Sequence, residues 1–476
     1  MNYEIVIGLE VHAELSTKTK IFCGCTTKFG GEPNTHVCPG CAAMPGTLPV
    51  LNKSVVDYAI RLGLALDCDI AKQCRFDRKS YFYPDLPKAY QISQLYAPVC
   101  KEGKLEIDTK NGKKHIGITQ IHMEEDAGKL IHDNFNDCTL ADYNRGGMPL
   151  LEIVSKPDMR SGEEVIAYLE KLREILLYLD ICDCKMQEGS MRADINMSVR
   201  KKGAEKLGVR TEMKNMNSFK AISRAVEYEA DRQISILEDG GEVIQQTLRW
   251  DDDKGTNSPL RSKENAQDYR YCPDPDLPPV NIDDAWINKI KTELPELAQQ
   301  KRERYIRDYK LSEIDAANLT SHKNISDLFE NITKLSGEPI ESSNLLIGEI
   351  MRLMNKTNTE TENLSLDSEK LATLIKLVVG GKINRKAYKE VVEKVFVDDI
   401  DPEKYISQKG LMMIQDDDAV LKAVESVLSS NEKSIADYRS GKEKAFGFLM
   451  GQVMKQLQGK GNPASVKKIL TEKLSN

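Results

Sequence analysis

The sequence predicts an α+β protein: a large N-terminal domain of strands and a few helices, then an all-α middle domain, then a small all-α tail. Strand-like alternation of apolar and polar residues runs from the start to about residue 292 and then fades. From there to about residue 400 the apolar period is helical, and a further helical module begins near residue 408. A chain of 476 residues is long enough for several domains. These shifts divide it into residues 1–292, 293–407 and 408–476.

The first strand is GLEVHAEL, residues 8–15. Successive side chains of a strand point to opposite faces, so Glu10, His12 and Glu14 share one face and Leu9, Val11, Ala13 and Leu15 the other. A helix is expected from Ser161 to about Asp180, because Ser161 with Glu164 fits a capping box and Leu169, Leu172, Leu176 and Leu179 form a stripe. SMRADINMS is a second alternating strand with Arg192, Asp194 and Asn196 together, and VRTEMKN a third with Arg210, Glu212 and Lys214. Another helix fits Phe219 to Asp239, stopped by Gly240 and Gly241. The Pro-rich CPDPDLPPV, residues 272–280, continues neither element type and is expected to lead out of the first domain. Further on, residues 356–369 read as a polar connector between helices. Asn462 and Pro463 fit the N-cap and first position of the last helix, and Gly447 with Gly451 would admit another backbone closely.

Composition narrows the class. With 40% hydrophobic and 30% charged residues and a mean hydropathy of -0.46, the chain reads as soluble and globular. It has no run of 18 uncharged apolar residues and no secretory leader at its start, so a cytoplasmic location and no membrane contact are expected. The net charge of -7 argues against a wholly basic nucleic-acid binder. Residues 430–476, however, hold nine Lys/Arg against four Asp/Glu, a local basic module. Eleven cysteines is an odd number, better suited to core positions or metal ligands in a reducing compartment than to a disulfide framework.

Three groups of residues carry candidate chemistry. In FCGCTTKFGGEPNTHVCPGC, a CxC and a CxxC bring Cys23, Cys25, Cys38 and Cys41 together, the donor set of a closed structural zinc site. The other readings are a redox CPGC pair, which would want a following helix in a βαβ unit, or four unrelated thiols. Second, the charged strand faces repeat. To GLEVHAEL, SMRADINMS and VRTEMKN are added IHMEEDAGK, with His122, Glu124, Glu125 and Asp126, and MPLLEIV, with Glu152 in an aliphatic run. A single such strand is ordinarily just a sheet with one wet face. Several in one sheet suggest a charged surface where carboxylates hold Mg2+ and Arg or Lys neutralise phosphoryl oxygens. Third, FDRKSYFYPDLPKAYQISQ and the later RWDDDKG…PLRSKENAQDYRYCPDPDLPP interleave Arg/Lys with aromatic rings, which suits phosphate and base contacts or simply two packed loops. No Walker GxxxxGK[ST], GxSxG elbow or Gly/Ser-rich amidase stretch occurs, so the chain is not expected to release ammonia from an amide donor itself.

The segments YEIVIGLEVHAEL, CPGCAAMPGTLPVLN, FDRKSYFYPDLPKAYQISQ, IHMEEDAGKLIHD, MPLLEIVSKPD, EGSMRADINMSVR, DYRYCPDPDLPPV and GKEKAFGFLMGQVMK run in order from residue 3 to about 455. Together they closely resemble the GatB family, the B subunits of bacterial glutamyl-tRNA(Gln)/aspartyl-tRNA(Asn) amidotransferases. The resemblance implies a cradle domain related to the glutamine synthetase fold, a helical domain and a tRNA-binding tail. It implies a heterotrimeric complex with an amidase/glutaminase partner and a small clamp-like third partner. It also implies a reaction in which ATP phosphorylates the side-chain carboxylate of Glu-tRNA(Gln) or Asp-tRNA(Asn) and ammonia from the glutaminase displaces the phosphate.

Carried onto this sequence, Glu10, His12, Glu125 and Lys79 form the implied catalytic set. Mg2+ falls to Glu10, His12, Glu124 and Glu125, with Glu152 and Asp194 behind them or around a second ion. Arg78, Lys79 and Arg192 would meet ATP phosphates, and Cys23, Cys25, Cys38 and Cys41 would hold structural Zn2+. Lys442, Lys444, Lys455, Lys460, Lys467 and Lys468 would contact tRNA, and Glu14 inherits no role. Two other readings stay open at this stage, a noncatalytic tRNA-binding protein of the same complex and a ligase acting on free glutamate.

Overall fold

The computed structural model describes residues 2–133, 135–262, 269–361, 364–414, 417–457 and 460–475, so part of the second aromatic-basic segment, 263–268, lies outside the described residues. The chain separates into two compact units, Met1–Leu297 and Ala298–Asn476. In chain order the first contains β1 (Tyr3–Glu14), α1 (Lys53–Ala65), β2 (Asp69–Ile70), β3 (Gln73–Cys74), β4 (Asp77–Ser80), β5 (Tyr90–Ser93), β6 (Cys100–Thr109), β7 (Gly112–Glu125), β8 (Lys129–Asp133), β9 (Cys138–Asp142), β10 (Pro149–Ser155), α2 (Gly162–Tyr178), β11 (Met191–Lys201), β12 (Thr211–Lys214), α3 (Phe219–Glu238), β13 (Gln246–Asp251), β14 (Thr256–Ser262), β15 (Cys272–Pro273), β16 (Val280–Asn281) and α4 (Asp284–Glu293).

Among the described residues, nine strands form one sheet in the order β14-β13-β12-β11-β1-β10-β7-β6-β2. β12 and β13 run parallel, and the other neighbours are antiparallel. Alternation decides which face is buried. Ile7, Leu9, Val11 and Ala13 of β1 join one apolar cluster with Val55 and Ile60 of α1, Leu169 and Leu172 of α2, and Ile222 of α3. The helices cover that face, with α1 on β7, α2 on β6 and α3 on β11. The polar face is roofed in part by a three-stranded sheet, β15-β4-β5, whose β5 lies against β7.

The two anticipated helices start and stop where their caps say. Ser161 Oγ accepts from the Glu164 amide at 3.2 Å, and Leu169, Leu172, Leu176 and Leu179 are all buried. α3 is capped by Ser218 and ends before Gly240, which takes φ 77°. α1 is not among the expected helices, although Asn52 caps it and Val55, Val56, Ala59, Ile60 and Leu62 are buried at helical spacing.

The Pro-rich segment does not lead out at once. Cys272 pairs with Arg78 and Val280 with Cys74, and Arg78 donates to Asp274 at 2.9 Å and to Asp276 at 2.7 Å. Two-residue edge pairings tolerate neighbouring prolines because few ladder amides are needed there. The chain then continues into α4, whose Trp286 Nε1 donates to Asp57 of α1 at 2.6 Å.

The second unit is helical, from Ala298–Tyr309 to Pro463–Ser475. Its buried apolar residues form two clusters, one from Tyr305 to Ile406 and one from Val420 to Leu474. The connector around residue 360 ends at Asp367, which caps the helix Ser368–Val379. Asn462 Oδ1 accepts from the Ala464 amide at 2.9 Å at the start of the last helix. Gly447 and Gly451 face open space among the described residues, with no backbone against them. No helix among the described residues is long and apolar enough to cross a membrane.

Candidate active site

Register turns the charged strand faces into one surface. Arg192 of β11, His12 of β1, Glu152 of β10 and His122 of β7 stand side by side on one rung across four strands. On the neighbouring rung Asp194 faces Glu10, and Asn196 faces Glu212 of β12 one step further. Two ligand groups result. His12, Glu124 and Glu152 form one and Glu10, Asp194 and Glu212 the other, with the ligand atoms of each group within 4.8 Å of one another.

The groups are held by specific contacts. His122 Nε2 lies 2.8 Å from Glu152 Oε2, and His12 Nε2 lies 3.4 Å from Glu152 and 3.6 Å from Glu124. Ser93 Oγ donates to Glu124 at 3.1 Å. Asn196 Nδ2 donates to Glu10 at 3.0 Å, Thr247 Oγ1 to Glu212 at 2.8 Å, and Lys214 pairs with both Asp194 and Glu212.

Crowded acids on a half-buried surface shift one another's protons. Burial, then Glu152 and Glu212, raise the Glu10 carboxyl above its usual range. Burial disfavours charge on the two imidazoles, but the carboxylates outweigh it: Glu152 and Glu124 raise His12, and raise His122 to about 10. Glu152 in turn is held well below the carboxylate range, burial being outweighed by the two histidines. His12 and Glu10 each belong to a group that could ligate a divalent cation, and a bound cation would favour their deprotonated forms.

These residues floor a cavity of about 870 Å3. Its opposite wall is aromatic. The rings of Tyr81, Tyr269 and Tyr271 stand edge to face, with centroids 5.9 Å and 6.0 Å apart. Lys79 lines the cavity with its ammonium 4.9 Å from the Tyr269 ring and 5.8 Å from Tyr81, and no carboxylate lies within ion-pair distance of it among the described residues. Arg192 is clamped at the rim, with Nη1 2.8 Å from Asp126 and 3.6 Å from Glu14. Arg145 reaches the same Asp126 oxygen at 3.3 Å.

The structure therefore brings Glu10, His12, Glu124, Glu152, Asp194, Lys79 and Arg192 to one cavity. It does not bring Glu125 or Arg78 there. Glu125 points to the other side of β7, where Oε1 accepts from the Ile92 amide at 2.9 Å and Oε2 pairs with Lys88. Arg78 alternates away from Lys79 on β4, bound to Asp274 and Asp276 with its guanidinium 4.3 Å from the Tyr90 ring. Both placements follow from the two-residue strand period, which separates Glu124 from Glu125 and Lys79 from Arg78. The same period links His122 to Glu124, and Glu212 to Lys214. Glu124 is among the Mg2+ ligands that the family resemblance implies, whereas His122, Glu212 and Lys214 are expected only as members of charged strand faces and carry no site role there.

The four cysteines converge separately, all ligand sulfurs within 4.8 Å. Cys41 Sγ lies 3.8 Å from Cys38 Sγ and 3.9 Å from Cys25 Sγ. A tetrahedral tetrathiolate with Zn–S of about 2.3 Å has sulfur–sulfur edges of about 3.8 Å, so this donor set fits zinc. A hydrogen bond with Cys23, the Cys38 amide and the nearby Lys20 pull the Cys41 thiol down to about 4 against its burial, whereas burial pushes Cys25 up to about 11. Turns follow Cys41 and α1 begins only at Lys53, unlike a redox CxxC at a helix start.

In the second unit Lys442, Lys444, Lys455, Lys467 and Lys468 are exposed and Lys460 is half-buried. Lys442 is paired with Asp437 at 2.8 Å. On the helix Glu443–Gln456, one exposed face carries Lys444, Gly447, Phe448, Gly451 and Lys455.

Residues 5–288 match the family model described as the GatB/GatE catalytic domain, and residues 327–474 the one described as the GatB domain. Similar curated proteins are named as the B subunit of aspartyl/glutamyl-tRNA(Asn/Gln) amidotransferase. That of Lachnoclostridium phytofermentans is 59% identical over 473 residues, covering 99% of each chain. That of Agathobacter rectalis is 55% identical, covering 99% of this chain and 100% of its own. That of Caldicellulosiruptor bescii is 55% identical, covering 100% of this chain and 99% of its own. With a charged sheet face, a four-cysteine cluster and a match along nearly its whole length, the chain belongs to the GatB family.

Proposed function

We propose that the chain is the kinase and transamidase component of a tRNA-dependent amidotransferase, acting on Glu-tRNA(Gln) and Asp-tRNA(Asn) in the cytoplasm, in complex with a glutaminase and a small third partner. The observation that carries this reading is the cavity with two carboxylate-rich ligand groups on its floor and Lys79 on its wall. A carboxylate is resonance-stabilised and ammonia does not displace its oxygen, so it must first be phosphorylated by ATP. Bound Mg2+ would neutralise the phosphoryl oxygens and bring them into line. His12, Glu124 and Glu152 would hold one ion, and Glu10, Asp194 and Glu212 a second.

The chain's own residues supply the rest. Lys79 offers its ammonium to a phosphoryl or acyl oxygen as charge develops. Arg192 presents a guanidinium fixed by Asp126 and Glu14 to the same space. The tyrosine wall gives a face on which a base stacks, and with β4 and β5 it limits water near a hydrolysable acyl phosphate. The cysteine cluster would hold Zn2+ as a brace, since four sulfurs leave no open position.

The division into a catalytic cradle at 1–292, kin to the glutamine synthetase fold, a helical domain at 293–407 and a tRNA-binding tail from 408 belongs to the same proposal. The basic tail, with Lys444 and Lys455 flanking an exposed Phe448, supports its last part. The test is to co-express the chain with the glutaminase and the small partner and assay amidation of both misacylated tRNAs with ATP supplied or omitted. Amidation that needs ATP and a charged tRNA is expected. Amidation without ATP overturns the kinase role, and activity on free glutamate makes the chain a small-molecule ligase.

A further inference from the structure

Lys20 is the one lysine among the described residues with no exposed surface at all. Its ammonium meets two groups, the carbonyl of Tyr143 at 3.2 Å and Cys41 Sγ at 3.9 Å. No carboxylate lies within ion-pair distance of it among the described residues. A carbonyl satisfies one of three N–H groups and supplies no charge, and a buried ammonium without a counter-ion is strongly disfavoured. The missing negative charge has one source nearby. Four thiolates around a divalent ion carry a net charge of about -2 in a site that fits such a centre.

We propose that Lys20 is the charge partner of a metal tetrathiolate formed by Cys23, Cys25, Cys38 and Cys41. This rests on the reading that those cysteines hold zinc. The ammonium donates to Cys41 Sγ and offsets half of the centre's excess charge, which weakens the pull of protons and oxidants on the thiolates.

The path of the side chain supports the role. The Lys20 amide donates to the Cys25 carbonyl at 2.9 Å, which ties the start of the stem to the CxC turn. Its Cδ would lie 3.6 Å from a Cβ at residue 147, which is glycine at φ 81°. The stem thus runs along bare backbone at a position where other residues are strained. The Gly147 carbonyl also receives the Ile21 amide at 3.1 Å, and its own amide donates to the Asp126 carbonyl at 2.9 Å, two residues before β10 begins. Lys20 therefore joins the cysteine turns to the segment that delivers Glu152.

The test compares full-length wild type with Lys20→Met, which keeps the stem and removes the charge, and Lys20→Arg, which keeps the charge. Each is loaded with zinc, its metal content measured, and transfer of zinc to a chromophoric chelator followed in time. Lys20→Met is expected to release zinc about 10- to 100-fold faster than wild type, and Lys20→Arg to stay near wild type. Release from Lys20→Met at the wild-type rate overturns the role of Lys20 while leaving the zinc reading standing. Wild type that takes up no zinc overturns both.

If Lys20→Met does not fold, acetylation of wild-type lysines read by mass spectrometry decides instead. Lys20 is expected to be protected with zinc bound and modified after chelation, while Lys301, paired with Asp327 and Glu330, stays protected throughout. Equal modification of Lys20 in both states overturns the proposal.

Discussion

The cysteine cluster and the carboxylate groups of the sheet both gather metal-ligand atoms within 4.8 Å, yet they are built in opposite ways. The cysteines come from two turns within 19 residues of chain, surround their centre and leave nothing open. The carboxylates and His12 come from five strands, lie on one side only and face a cavity of about 870 Å3. A local, closed set suits an ion that holds the fold together. A dispersed, one-sided set leaves half of an ion's shell to substrate oxygens. Each kind of site should fail in its own way when a ligand is lost.

The largest effect is expected at the open site. Glu10→Gln should lower Glu-tRNA-dependent ATP hydrolysis by about a thousandfold, because metal stabilisation of developing charge is worth several kcal/mol. Its tRNA affinity, read by filter binding, should stay within about twofold, and unchanged turnover would turn the acidic floor into scaffolding. Within that floor the strand period makes a finer division. Glu124→Gln should weaken Mn2+ binding, followed by electron paramagnetic resonance, by about tenfold or more, and Glu125→Gln by less than about twofold. Equal losses would place Glu125 beside the ion after all.

The closed site should show itself in stability instead. Cys38→Ser should lose zinc and lower the melting temperature by about 5–10 °C, whereas Glu10→Gln should move it by less than about 2 °C. A similar drop from both would erase the contrast between brace and workplace. In the tail, Lys444→Ala and Lys455→Ala should each reduce the slope of log affinity for tRNA against log salt by about 1. Slopes that do not change would assign those charges to solubility.

The smallest effect concerns Glu14, which burial and Asp126 raise from 4.5 to about 8. A carboxyl raised in the folded state adds stability that is full below pH 4.5 and is lost as the pH climbs through about 8. Glu14→Gln should therefore gain on wild type by a few degrees in melting temperature between about pH 5 and about pH 9. A gap that stays constant with pH would show Glu14 to be ionised throughout.

What the sequence revealed was governed by distance along the chain. GLEVHAEL, SMRADINMS and VRTEMKN announced their polar faces because alternation is a local property, and the cysteines announced their cluster by spacing alone. The register that sets Arg192, His12, Glu152 and His122 on one rung was not legible, since the two pairings that place His12 join residues more than a hundred apart. Glu125 and Arg78 are different, because the period that excludes them from the cavity was present in IHMEED and DRKS. α1 was legible in principle, since KSVVDYAIRLGLA carries Val55, Val56, Ala59, Ile60 and Leu62 at helical spacing behind the capping Asn52.

The central place of β1 has a consequence for how the protein is made. It leaves the ribosome well before its two neighbours, residues 149–155 and 191–201. At roughly 5–20 residues per second, on the order of tens of seconds pass before both can pair with it. During that interval the nascent chain carries an unpaired strand with a wholly apolar face, and such late, long-range pairing is slow and open to wrong partners. The ordering that assembles the cavity floor thus leaves β1 open to wrong pairing until residues 191–201 have emerged.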